Sequence, residues 1–169
     1  MFLQNGTNNM QQLNILNGRE IKKIKESLIK QFNYDPEEDY AYLQSEKDRI
    51  FIVNKDIAKI NLKNLIIDKM GLYFAEVHFD QVRLSKEGAE LLWLEAKRNK
   101  KEKELKNVVE LSSEELKEYF RGLDLTKDLG AENKMILLRY QNNVIGCAKY
   151  KEGKILNFMP KIHRGEVII

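Results

Sequence analysis

The sequence predicts an α+β protein: an N-terminal unit that combines helices with antiparallel hairpins, followed by a β-rich unit closing as a small barrel. Three patterns point to it. Apolar residues recur at helical spacing at 18–32 and again at 86–96. Paired β-branched and aromatic runs flank polar turns at 40–53, 72–84 and 135–159. Between the two sets of hairpins lies Lys97-Arg98-Asn99-Lys100-Lys101-Glu102-Lys103, which has no apolar residue to bury and reads as a domain boundary.

Ile21, Ile24, Leu28 and Phe32 form one apolar stripe of a helix spanning Gly18 to Phe32. Pro36 disfavours helical geometry at Asp35 and ends the pattern. Tyr40–Gln44 and Arg49–Val53 then read as strands around the polar loop Ser45-Glu46-Lys47-Asp48. Ile57 to Leu65 is expected to be a short helical or irregular connection. Leu72–Phe79 and Val82–Leu84 make a second hairpin around Asp80-Gln81. Ser85 stands at an N-cap position, ahead of a stripe of Ala89, Leu92, Trp93 and Ala96.

After the basic run, Val108 and Val109 suggest a short strand. Ser112 and Glu115 have the spacing of a capping box, and Leu111 and Leu116 that of a hydrophobic staple. That helix is expected to reach Phe120 and stop at Gly122, a C′ glycine. Met135–Tyr140, Val144–Tyr150 and Lys154–Met159 read as strands turning at Asn142-Asn143 and Glu152-Gly153. Val167-Ile168-Ile169 is expected to be a last strand that closes the barrel. The expected layout is a flexible tail at 1–16, an N-terminal domain at 17–103 and a C-terminal domain at 104–169.

Composition narrows the function. With 33% charged and 43% hydrophobic residues, the chain can bury a core beneath a heavily charged surface. A single cysteine, Cys147, permits no intramolecular disulfide, and with two histidines it makes a poor zinc set. These counts fit a reducing, cytoplasmic setting. No run of about 18 apolar residues is present, so no membrane span is expected. Met1 to Gln12 lack the basic start and apolar stretch of a signal peptide.

Neither GxxxxGK[ST] nor GxGxxG occurs, so nucleotide-dependent methyl or hydride transfer has no strand–glycine-loop–helix unit to use. Cys147, between Gly146 and Ala148 in a strand, reads as a buried core residue rather than a nucleophile. Asp35, Glu37, Glu38 and Asp39 could bind a hard metal ion, but solvated loop carboxylates are the simpler reading. His78 reads as structural or exposed. No convergent acid/base pair is legible. The expectation is a non-enzymatic chain with no cofactor and no metal.

Charge is unevenly placed. From Lys134 to Ile169 the cations are Lys134, Arg139, Lys149, Lys151, Lys154, Lys161 and Arg164, against Glu152 and Glu166. That stretch is +5 in a chain of +3, so the preceding residues sum to −2. Concentrated positive charge on a β-rich unit suits phosphate neutralisation, though ordinary solvated strand faces would look the same.

Val144-Ile145-Gly146-Cys147-Ala148-Lys149, Glu152-Gly153-Lys154, Asn157-Phe158-Met159-Pro160-Lys161 and His163-Arg164 decide between them. This series resembles the closing half of the PUA-type domain in Sun/Fmu-type ribosomal RNA cytosine-C5 methyltransferases. Arg121-Gly122-Leu123-Asp124-Leu125 resembles the stretch after that domain's first helix. The whole chain is similar to two-part pre-PUA/PUA proteins, a group of archaeal RNA-binding proteins and a eukaryotic large-subunit ribosome-biogenesis factor. The N-terminal likeness rests on Asp48-Arg49-Ile50-Phe51-Ile52-Val53, Gly71-Leu72-Tyr73-Phe74 and Arg83-Leu84-Ser85. His163-Arg164-Gly165 is archaeal or methyltransferase-like and departs from the eukaryotic factor.

The resemblance implies a PUA-like barrel that binds structured ribosomal or transfer RNA, and no methylation by this chain. The RNA-binding residues it implies are Arg121, Gly122, Lys149, Lys151, Lys154, Lys161, His163 and Arg164. Gly122, lacking a side chain, would let a phosphate or base approach. The expected role is RNA maturation or ribosome biogenesis. The competing readings are an RNA-docking subunit of a separate modification enzyme and a protein-interaction module. A ribosome-assembly or RNA-modification protein is the expected protein partner.

Overall fold

The computed structural model describes residues 13–45, 47–60, 70–79 and 81–167. Its first helix, α1 (Gly18–Phe32), begins at Asn17, whose side chain accepts from the Arg19 and Glu20 amides while Glu20 reaches back to the Asn17 amide. Asn33 ends it in the left-handed region, which asparagine tolerates. The stripe read from the sequence is its buried face: Ile24, Leu28 and Phe32 are buried.

That face packs on an antiparallel sheet of β1 (Leu13–Ile15), β2 (Tyr40–Ser45), β3 (Arg49–Asn54), β4 (Leu72–His78) and β5 (Gln81–Leu84), paired in chain order. β5 is an edge strand, and α1 closes it off. The Gln31 amide donates to Val82 O and accepts from Val82 N, both at 2.8 Å, as a neighbouring strand would. Gln31→Ala is expected to cost about 1–2 kcal/mol, one unit per hydrogen bond, in urea unfolding. No change in the unfolding midpoint would mean the edge needs no cover.

The helix α2 (Lys86–Arg98) follows, with Ser85 capping the Gly88 amide. Beyond it lies a second sheet, order β6-β8-β9-β10-β7, built from β6 (Val108–Glu110), β7 (Leu125–Thr126), β8 (Lys134–Tyr140), β9 (Asn143–Lys151) and β10 (Lys154–Leu156). β6 runs parallel to β8, a pairing that needs a crossover, and α3 (Ser113–Phe120) supplies it. Glu152 and Gly153, both at positive φ, turn β9 into β10.

Both faces of this second sheet are buried. Ile136, Leu138, Ala148, Tyr150 and Ile155 face an inner core with Leu116 and Tyr119 of α3. Met135, Leu137 and Cys147 join the core formed by α1, α2 and the first sheet. Burial on both sides explains why Met135–Leu138 is continuously apolar rather than alternating. The two sheets therefore share packing through β8 and β9. Trp93 strengthens the contact: its ring nitrogen donates to Asn142 O at 3.0 Å and the Arg139 guanidinium lies 5.4 Å from its ring centre.

The structure corrects several expectations. The second sheet is a half-barrel. Its edge strands β6 and β7 are bridged by Lys127, which donates to Glu110 O and pairs with Glu115 at 2.8 Å. Val167 is not in a strand, and residues 168–169 lie outside the described residues. Leu13–Ile15 form β1 and Leu16 is buried, although the sequence placed 1–16 in a tail; residues 1–12 are outside the described set. β10 ends at Leu156, where the Asn157 backbone amide donates to Asp124 Oδ1 instead of to a neighbouring strand. The expected connection at 57–65 is a 3-10 helix over Lys55–Lys59, with 61–69 outside the described residues.

The basic run and the acidic loop are not independently solvated. Arg98 pairs with Glu38, and Lys101 with Glu37 at 2.6 Å, holding the Glu37 carboxyl below its ordinary range. Buried Glu95 accepts from the Glu37 and Glu38 amides, both at 3.1 Å. Further on, Lys106 N bonds to Phe32 O and the Asn107 amide to Gln31 O, so the segment into the second unit is tied along α1.

Candidate nucleic-acid interface

The end of α3 and the residues after β10 are clasped together. α3 starts with the capping box read from the sequence, the Ser112 hydroxyl accepting from Glu115 N and the Glu115 carboxylate from Ser112 N. It ends at Arg121, and Gly122 follows at φ +89°. Asn157 makes the clasp. Its Nδ2 donates to Tyr119 O at 2.6 Å and Leu123 O at 2.9 Å, and its Oδ1 accepts from Met159 N. Its own amide donates to Asp124 Oδ1 at 2.7 Å. Tyr119 is buried beneath, and burial pushes its hydroxyl up to about 12.

Onto this base fold Lys161–His163, a single 3-10 turn after Pro160, and then Arg164. Gly165 N bonds to Phe120 O at 2.9 Å, which fixes the turn against α3. Arg164 Nε donates to Met159 O at 3.0 Å. Gly122 lies beneath the Arg164 side chain. A Cβ there would come within 2.8 Å of the Arg164 side chain. The space that glycine leaves open is filled by the protein's own guanidinium, not held free for a ligand. Arg164 thus lies flat across the helix end.

Of the eight residues read from the sequence, the clasp brings together Arg121, Gly122, Lys161, His163 and Arg164. All but Gly122 are exposed. Exposed Ile162 and Leu123 stand among them. Lys149, Lys151 and Lys154 form a separate group. Lys151 is opposite Lys154, and Lys149 is opposite both Leu156 and Met135. Cross-strand partners share a face, so the three lysines lie on the outer side of the β9–β10 hairpin, away from the half-barrel core. Among the described residues only Lys151 of the three has a carboxylate partner, its neighbour Glu152 at 3.8 Å.

In the sequence Asn157 and Asp124 stand out only as parts of a motif. Their work in holding the clasp joins residues 33 to 38 positions apart, and no local pattern reveals that. Cys147 is buried beside the Leu84 backbone, and burial pushes its thiol up to about 12, which disfavours the thiolate. His78 is exposed, with Nε2 3.4 Å from Glu76. Among the described residues no group of three His, Cys, Asp or Glu is placed to hold a metal ion, and no helix is long and apolar enough to cross a membrane.

Residues 106–164, about a third of the chain, match the family model of the methyltransferase RsmF PUA domain. No curated protein matches the chain significantly. The matched stretch runs from the residue tied to α1 to the arginine that closes the clasp, so it contains the half-barrel, α3 and the clasp. The C-terminal part of the chain is thus a PUA-type RNA-binding domain.

Proposed function

We propose that this chain is a non-catalytic RNA-binding protein of ribosomal or transfer RNA maturation, working in the cytoplasm. Its unit at 104–169 would hold structured RNA, and its unit at 17–103 would support that grip. The observation that carries this is the coincidence of the matched segment with a group of exposed cations on backbone that the clasp fixes. Arg121, Lys161 and Arg164 have no carboxylate partner among the described residues, while Arg98 and Lys101 of the more basic run are paired with Glu38 and Glu37. Cations on a preformed backbone meet phosphates without the cost of ordering the chain that carries them. A second reading, an RNA-docking subunit for a separate modification enzyme, is favoured by one finding: the matched model comes from a methyltransferase.

Replacing Lys161 and Arg164 together by alanine is the test. Binding of a structured RNA should weaken, and the dependence of log K on log salt should fall by about 2, roughly one per lost phosphate contact. Thermal stability should drop by only about 1 kcal/mol, the single hydrogen bond from Arg164. Neutralising Lys97, Lys100 and Lys103 should leave binding nearly unchanged. Loss of binding from that second set alone would move the site out of the C-terminal unit and end this reading.

A further inference from the structure

The RNA surface does not stop at the half-barrel. We propose that the outer face of the N-terminal sheet is a stacking platform for unpaired nucleotides that flank the RNA element held by the clasp. This rests on the function proposed above and adds a second site with its own ligand class, single-stranded RNA.

The observation is a row in which guanidinium groups alternate with aromatic rings, crossing from one unit to the other. Phe158, the residue after the clasp asparagine, lies under the Arg83 guanidinium at 4.8 Å from ring centre to Cζ. Arg83 pairs with Glu76 across β4 and β5. Glu76 also takes Arg49 Nε at 3.4 Å and the Tyr73 hydroxyl at 2.8 Å. Arg49 in turn lies 5.7 Å from the Tyr73 ring centre.

Glu76 is the hub that orients the row. Partial burial would push its carboxyl up, but the Tyr73 hydrogen bond and the Arg83 charge outweigh that and hold it below the usual range. It stays ionised and keeps both guanidinium planes fixed at neutral pH. With two arginines to one carboxylate, the row retains positive charge.

An ion-pair brace between strands would also explain Glu76 and its partners. The guanidinium groups are the open part of the row, the Arg49 side chain 43% and that of Arg83 32% exposed, while Glu76 is 13% exposed and the Tyr73 and Phe158 rings are half-buried, Tyr73 beside Phe51. The lysine group is close to the row in the chain: Lys149 lies opposite Leu156, the last residue of β10 and two before Phe158. On this proposal the lysines would meet phosphates and the guanidinium groups and rings of the row would meet bases. Planar guanidinium groups and aromatic rings are the surfaces on which unstacked bases settle, and every base has a π-face, so little sequence preference is expected.

The test compares a labelled blunt stem-loop RNA with the same stem-loop carrying about six unpaired nucleotides at its 5′ or 3′ end. For the unaltered protein, one extension should tighten binding about tenfold, the gain expected from stacking one or two bases. Tyr73→Leu and Arg83→Gln should each remove most of that gain and leave the blunt stem-loop bound as before. Tyr73→Phe, which keeps the ring and loses the bond to Glu76, should retain most of it. The Lys161/Arg164 double substitution should weaken both RNAs alike, so failure of the clasp shows separately. Thermal midpoints confirm that each variant is folded, and having two variants guards against one that is not. If neither extension adds affinity, or the gain survives both substitutions, the platform is refuted. It is also refuted if the substitutions change only the binding of a protein partner.

Discussion

Gly88→Ala is expected to destabilise the protein by about 3 kcal/mol or more, although glycine to alanine inside a helix ordinarily stabilises by about 1 kcal/mol. The sign reverses because α2 crosses β4 with no room for a methyl group. A Cβ on Gly88 would overlap the Phe74 carbonyl oxygen and lie 3.0 Å from its carbon. That carbonyl cannot easily retreat, since it accepts from Ser85 N at 2.9 Å. The neighbouring Tyr73 carbonyl accepts from the Ser85 hydroxyl at 2.6 Å, and the same hydroxyl caps Gly88 N. The start of the helix and the strand are thus pinned together through one serine. Relief would require α2 to lift, opening the core at Ala89, Leu92 and Phe74. Gly18→Ala is the matched control, since nothing lies within 4 Å of a Cβ there, and it should change stability by less than about 1 kcal/mol. Urea unfolding of both variants measures the contrast. Equal stability would mean that α2 does not sit this close to β4.

Asn157→Ala should be nearly as severe and should also abolish RNA binding at micromolar protein. Three side-chain hydrogen bonds disappear, to Tyr119 O, Leu123 O and Met159 N. At about 1 kcal/mol each, the loss is about 3 kcal/mol. Functional loss follows because Lys161, His163 and Arg164 follow directly on the segment that Asn157 anchors, and the single Gly165–Phe120 bond would be left to hold the turn on α3. Asn157→Asp separates geometry from volume. It keeps the oxygen facing Met159 N but turns a carboxylate oxygen toward two carbonyls, so it should be at least as damaging as alanine. Urea unfolding and RNA titration by fluorescence anisotropy check both. An aspartate variant that folds and binds normally would show that the side chain does not hold the clasp.

The elements with local causes were legible in the residues. α1 appears with the same bounds, because a 3.6-residue apolar stripe and a proline beyond it are short-range signals. The Ser112 capping box and the Glu152-Gly153 turn were equally local, and both are present. β1 and β7 were missed because strands of three and two residues exist only through their partners: β1 by pairing with β2, β7 by pairing with β10. The same reason hid Gln31, whose amide replaces a missing strand, and the pairing of the acidic loop with the basic run.

The sequence by itself determined the class of the fold, the position of the positive charge and the motif that marks the RNA-binding domain. Each of these is written in the kind and spacing of neighbouring residues. Only the tertiary structure decided which cations act together. It divided the eight candidates into a clasp and a hairpin face, filled the space at Gly122 with Arg164, and set Arg83 of one unit on Phe158 of the other. The physical reason is range. Periodicity and capping act over a few residues, whereas a site joins side chains distant in the chain, and their proximity depends on how two sheets pack against shared helices.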